Sequence, residues 1–350
     1  MNFRQWAWKI DKAIFTCIII LELFGLLTVL KLSPIMSNRF HVESGMNFFF
    51  KHCIYITLSL INIFIFSHFS PEKTKKVCIY LFFIFLFLNI STVVLGRKIN
   101  GTRRWLQLFG FSLQPSEFVK TLIVFPISYL LSLNLHKYII GLMCISAASC
   151  LLQPDLGMTF LIISSSASLV FLKGDNYKQY LKLLLSVLVG IILSGIFITK
   201  YAVNRILIFL GKKEGFQIQQ SLKLIASSKI IGEDSSNIYV PDSHCDFMFV
   251  EIVSGFGLMA GFIIICIPIF ILFRVLKHKN HISEENLLIV IGIAIQINIQ
   301  TYFHILSNLG FLPTKGLNLP FASFGGSSLI AHSIAIGALL SIISRKIKMF

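Results

Sequence analysis

In the second half of the chain, Val240-Pro-Asp-Ser-His-Cys-Asp-Phe247 sets Asp242, His244 and Asp246 at alternate positions. Directly afterwards the sequence turns apolar and stays largely so as far as Phe273. Ionisable groups at the lip of a membrane-length apolar run are costly to place, so they tend to have a job. On an extended chain, alternate side chains point one way, and two carboxylates with an imidazole would suit a metal ion. The local alternative is a helix start, with Ser243 as N-cap and Asp246 three residues on in a capping-box arrangement. Spacing alone leaves both open.

Three other clusters carry chemistry of their own. In Gly96-Arg-Lys-Ile-Asn-Gly-Thr-Arg-Arg-Trp105, the pair Arg103 and Arg104 can grip a phosphate, because the guanidinium fork fits that geometry. The same residues with Trp105 can equally form an interfacial belt. Next, Pro115 and Ser116 mark a helix start, which places Glu117 and Lys120 three residues apart on one helix face. They are either a helix-end ion pair or a charge pair facing a polar site inside the bundle. Last comes Asn308 to Ser328, which contains Lys315 and the run Gly325-Gly326-Ser327. Two glycines before a serine make either a helix cap or a nest of amides for an anion. The shorter Leu152-Gln-Pro-Asp-Leu-Gly157 needs no function beyond a tight turn in which Asp155 caps the next helix.

The elements that must position these residues are membrane helices. The chain is 55% hydrophobic and 13% charged with a mean hydropathy of +0.81, whereas a soluble protein carries about 25% charged residues. Apolar runs near membrane length recur at about 13–32, 48–69, 77–95, 117–134, 138–153, 156–174, 179–200, 247–272, 287–308 and 327–344. The expectation is an all-α polytopic membrane protein of about ten transmembrane helices, a single integral domain over 1–350. Its largest hydrophilic interval, 201–246, forms an outer loop. The first run lacks a small-residue cleavage site and contains Glu22, so it reads as a retained span.

Basic connections from Lys73 onward and basic ends place both termini in the cytoplasm. The net charge of +16 then reads as contact with anionic lipid, with no nucleic acid implied. Two basic intervals, Arg97–Lys120 and Lys200–Lys229, fall on the outer side and need another reason. The seven Cys show no metal or redox spacing and read as small apolar packers.

Taken together and in order, GTRRW, QPSEFVK, LLQPDLG, PDSHCDF and LPTKGLNLPFASFGGSS resemble the SEDS family (shape, elongation, division and sporulation), the FtsW/RodA proteins. The resemblance covers roughly 90–345, and FSLQPSEF, PDSHCDF and LPTKGLNLP are more like the division branch, FtsW, than the elongation branch, RodA. It implies a ten-span bundle that polymerises lipid II into glycan strands beside a class B penicillin-binding transpeptidase and other division proteins. The implied location is the bacterial cytoplasmic (inner) membrane at the septum.

The family's essential acid maps to Asp246, and its fourth-span pair to Glu117 and Lys120. Asp246 would be the general base of an inverting glycosyl transfer. His244, Arg103, Arg104, Lys315, Gly325, Gly326 and Ser327 would join Glu117 and Lys120 around the substrate. Mg²⁺ or Mn²⁺ would be the candidate ion, with no organic cofactor. A lipid II flippase and a division scaffold are the alternatives. The chain departs from the family pattern at Cys245 (usually Thr) and His304 (usually Asn). Ser254 and Gly255 stand where an acidic pair is common, with Glu251 nearby, and the loop around Gly232 is poor in glycine.

Overall fold

A computed structural model of the chain describes residues 10–39, 46–99, 102–108, 111–174, 215–232, 238, 240–313 and 316–344. Twelve α-helices lie among them, each long apolar run becoming a helix because lipid leaves the backbone no other way to satisfy its hydrogen bonds. They are α1 (Lys12–Arg39), α2 (Asn47–His68), α3 (Pro71–Leu95), α4 (Pro115–Leu122), α5 (Val124–Ser132), α6 (His136–Leu151) and α7 (Leu156–Lys173). Then follow α8 (Phe216–Ser227), α9 (Met248–Phe256), α10 (Leu258–Leu276), α11 (Glu284–Asn308) and α12 (Gly326–Ser344).

Every expected span has a counterpart except the seventh, 179–200, which lies outside the described residues. Seven helices are long and apolar enough to cross a membrane on their own, namely α1, α2, α3, α7, α10, α11 and α12.

Local signals set the ends. Ser70 caps α3 by accepting from the Lys73 amide, with Pro71 and Glu72 in the first turn. Asp155 caps α7 through the Met158 amide at 3.2 Å, and Gly174 closes that helix in the left-handed region. Asp11 caps α1 through the amides of Ala13 and Ile14, and its other oxygen accepts from Arg274 at the end of α10, 2.7 Å away. Lys75 and Lys173 pair with Glu285 and Glu284 in the first turn of α11. These contacts fasten α3, α7 and α10 at the end of the bundle that the charge pattern assigns to the cytoplasm.

Two expected spans are broken. The fourth, 117–134, divides at Ile123 into α4 and α5, because Pro126 has no N–H for the Leu122 carbonyl. The eighth, 247–272, divides at Gly257 into α9 and α10. Gly257 has φ +91° and ψ 171°, and a Cβ there would lie 2.6 Å from the Ile230 carbonyl oxygen. The chain passing at Lys229 and Ile230 accepts from the amides of Leu258 and Met259, so a loop backbone caps α10. Gly257→Ala would put a side chain into backbone that only glycine adopts freely, at a cost of about 1–3 kcal/mol. A lowered thermal midpoint of the purified protein checks this.

The all-α reading needs one small addition. Three short strands, β1 (Arg97–Ile99), β2 (Thr102–Leu108) and β3 (Phe111–Leu113), form an antiparallel ribbon against α3 and α4. Arg97 pairs with Trp105 and Gln107 with Ser112. The ribbon accounts for much of the basic outer interval, and α8 is a second element inside the outer loop. At the centre stands α12, which buries nearly every residue from Ser327 to Ile343 and packs along α2 and α4.

Candidate active site

The acid sits in a tight turn, not on an extended chain. Asp242 adopts φ +57°, and the amides of Cys245 and Asp246 both donate to its carbonyl, at 3.1 and 2.9 Å. This coiling turns Asp242, His244 and Asp246 away from the common direction that an extended chain would give them. Among the described residues no group of three His, Cys, Asp or Glu side chains is disposed to hold a metal ion. The three-ligand reading therefore does not fit the turn. The capping reading is displaced as well, since α9 begins only at Met248 with Phe247 before it.

A second segment, 316–325, straps the turn down. The Phe324 amide donates to the His244 carbonyl at 2.9 Å, and the Ser323 hydroxyl donates to the Cys245 carbonyl at 2.8 Å. In return the Cys245 thiol donates to the Phe324 carbonyl at 2.9 Å. Burial, with the charge of Asp246 second and that of Asp242 third, pushes this thiol well above its ordinary pKa, so it stays a donor. Cysteine thereby does the hydrogen-bonding work that the family resemblance would assign to a threonine hydroxyl here.

The Asp246 carboxylate lies flat against the α-carbon of Gly316: a Cβ there would be 3.2 Å from each of its oxygens. Gly316→Ala is expected to push the carboxylate by a few tenths of an ångström. Turnover should fall while the thermal midpoint stays close to wild type, which rate and melting measurements on one preparation check.

His244 packs edge-on to Phe48 and at a tilt against Phe324. Burial holds its imidazole below the ordinary range, against an opposing pull from Asp242. On acidification through about 6.5 the unfolded chain gains this proton first, so stability is intact above that pH and lost below it. His244→Asn should therefore show a smaller drop in thermal midpoint than wild type between about pH 7.5 and about pH 5.5.

Glu117 and Lys120 form their ion pair on α4, as the spacing requires, and it is sealed: the side chains are 1% and 0% exposed. Beyond each other, neither charged group has a hydrogen-bond partner among the described residues. A row of polar side chains on α11 leads from the pair to the acid. Gln296 donates to the Lys120 carbonyl. Gln300 donates to the Asn318 carbonyl at 2.7 Å and meets His332 of α12 at 3.2 Å. His304 bonds the Leu317 carbonyl at 2.6 Å, and Asn308 donates to the Asp246 carbonyl at 2.8 Å. These four residues recur every fourth position on one helix face and span about 18 Å. Sequence reasoning missed the row, although polar side chains at helical spacing within an apolar run were the signal for it.

The remaining candidates are placed as follows. Arg104 clamps the Leu152–Gly157 turn, donating to the carbonyls of Gln153 and Pro154 at 2.9 and 2.5 Å, with Asp155 3.2 Å away. Its guanidinium is thus largely occupied. Arg103 donates to the Val94 carbonyl at the end of α3 and is otherwise exposed. Gly325 and Gly326 give close packing to Asn318 and to the Tyr55 ring, and Ser327 accepts from the Gln114 amide at 3.0 Å, tying α12 to α4. Lys315 lies outside the described residues.

The chain matches the family model of FtsW/RodA/SpoVE cell cycle proteins over residues 11–348. It is 30% identical to a protein of Coxiella burnetii named probable peptidoglycan glycosyltransferase FtsW, over 96% of both chains. It is 32% identical to the proteins of the same name from Wigglesworthia glossinidia brevipalpis (97% and 96% covered) and Haemophilus influenzae (95% and 90%). Among solved structures it shares the fold of a chain from a peptidoglycan synthase complex described as coordinating polymerization and crosslinking. That match has a TM-score of 0.77 and 21% identity, over 95% of this chain and 97% of the other. It also shares the fold of the rod shape determining protein RodA of Thermus thermophilus, with a TM-score of 0.71 and 19% identity, over 97% and 98%. With a family match over nearly its whole length, the chain belongs to the FtsW/RodA/SpoVE family of cell cycle proteins.

Proposed function

We infer that this multi-pass membrane protein is a peptidoglycan glycosyltransferase that polymerises lipid II into glycan strands during cell division, with Asp246 as its general base. The observation that carries the reading is one partly exposed carboxylate at the outer rim. Its carbonyl is held by Asn308, the carbonyls of the two residues before it by Ser323 and Phe324, and its side chain is backed by Gly316. The names of its FtsW relatives support the reaction and favour the division branch over elongation.

Growth of a β-linked strand from an α-linked diphosphate donor inverts the anomeric carbon in one displacement. The acceptor hydroxyl oxygen forms the new bond to that carbon, and the bond to the diphosphate breaks with its electrons leaving on phosphate. The hydroxyl proton passes to Asp246, the single base that such a step requires. The diphosphate needs positive charge more than a proton. Arg103, with donors exposed on the ribbon, and Lys315 are the residues proposed to supply it first. Arg104 supports that face through the turn it clamps. Glu117 and Lys120, sealed as a pair, anchor the far end of the α11 row that reaches the acid, and His244 and the Gly325–Ser327 corner shape the ground around the acid. Mg²⁺ or Mn²⁺ enters this reading only as an ion carried on the diphosphate.

Likeness to a chain of a synthase complex supports a class B penicillin-binding transpeptidase as partner, and the division branch supports a septal position. The experiment is purified protein, with and without that transpeptidase, on labelled lipid II. Glycan strands of many units are the expected product, and unreacted lipid II with the partner present would overturn the reading.

A further inference from the structure

His304 bridges the two segments that flank the acid. The side chain is fully buried near the outer end of α11, and its two ring nitrogens face opposite kinds of group. Nδ1 lies 2.6 Å from the Leu317 carbonyl, which can only accept, and Nε2 lies 3.4 Å from the Phe249 amide, which can only donate. These partners assign the proton to Nδ1 and leave the lone pair on Nε2. Leu317 follows Gly316, the residue that backs the Asp246 carboxylate, and Phe249 lies three residues after Asp246 in the first turn of α9. A single rigid ring therefore spans the strap and the helix that leads away from the acid. The strap's next carbonyl, on Asn318, is held from one turn lower by Gln300, and the Asp246 carbonyl from one turn higher by Asn308.

We propose that His304 is a positioning residue of the glycosyl transfer, setting the spacing between the Asp246 carboxylate and Gly316 behind it, and so the position of the base that deprotonates the acceptor hydroxyl. The inference rests on the glycosyltransferase reading of the same site. The stronger of its two bonds, to Leu317, holds the strap; the weaker one, to Phe249, holds the start of α9. Asparagine places a donor where Nδ1 stands, and glutamine places an acceptor where Nε2 stands. The two isosteres thus separate the two bonds.

His304→Gln, which gives up the strap bond, is expected to lower kcat on labelled lipid II by about 10- to 100-fold, the effect of displacing a reacting group by a fraction of an ångström to one ångström. KM should change little, and His304→Asn should keep most of the wild-type rate. Amide hydrogen exchange at Leu319 and Phe324 gives a readout independent of turnover. It should be faster in His304→Gln than in wild type and close to wild type in His304→Asn. A wild-type kcat in the Gln variant would overturn the proposal. So would equal losses in both variants that track their thermal midpoints, which is the pattern of a merely structural histidine. If wild type itself made no glycan, the polymerase reading would fail, and the exchange rates would decide on their own whether His304 fixes the strap.

Discussion

Asp246→Asn is expected to abolish glycan synthesis while leaving a folded, membrane-inserted protein that still binds its partner. The backbone contacts of this residue come from Asn308 and from the turn itself, and neither depends on a charged side chain. The amide also keeps the volume that fits against Gly316. What disappears is the proton acceptor, and a lost general base costs about 10² to 10⁴ in rate. A purely structural acid would give the reverse pattern, a lower melting temperature with near-normal synthesis. Thermal stability and lipid II turnover on one preparation separate the two.

Lys120→Met is expected to have the largest effect on stability. The pair on α4 is sealed from solvent, and removing one partner leaves Glu117 buried without compensation. Breaking such a pair costs about 3–5 kcal/mol, whereas replacing both charges with well-packed neutral groups is close to neutral. The expected result is therefore a marked loss in thermal midpoint for Lys120→Met or Glu117→Leu alone, and recovery in the double variant. Reversing both charges together should also recover part of the stability but little of the activity, because the field at the inner end of the α11 row is inverted. Full activity in that double reversal would reduce the pair to a structural ion pair.

The membrane helices and the Glu117–Lys120 contact were legible because both follow from local periodicity: apolar runs of membrane length, and two charges one helical turn apart. Both helix breaks were marked by residues in plain view, Pro126 and Gly257, whose effect was hidden by the apolar runs around them. The Asp242-His244-Asp246 alternation misled because Pro241 and the positive φ of Asp242 start a turn, and alternation has meaning only on an extended backbone.

Arg104 looked like a phosphate grip because its partners, Gln153 to Asp155, are about fifty positions away and no local rule joins them. The same holds for the strap across the acid, where Ser323 and Phe324 meet His244 and Cys245. Long-range pairing of this kind is fixed by how the helices pack together, which the sequence does not display. Two of the departures from the family pattern, Cys245 and His304, hold opposite ends of that strap.

The most direct test is a proteoliposome assay with labelled lipid II supplied only to the leaflet on the Asp246 side, measuring glycan formation and passage to the other leaflet together. The account predicts that lipid II is consumed into glycan without crossing the bilayer, and that Asp246→Asn stops the consumption. Passage of intact lipid II between leaflets with no glycan formed, at the same rate in wild type and Asp246→Asn, would contradict it and make the protein a transporter.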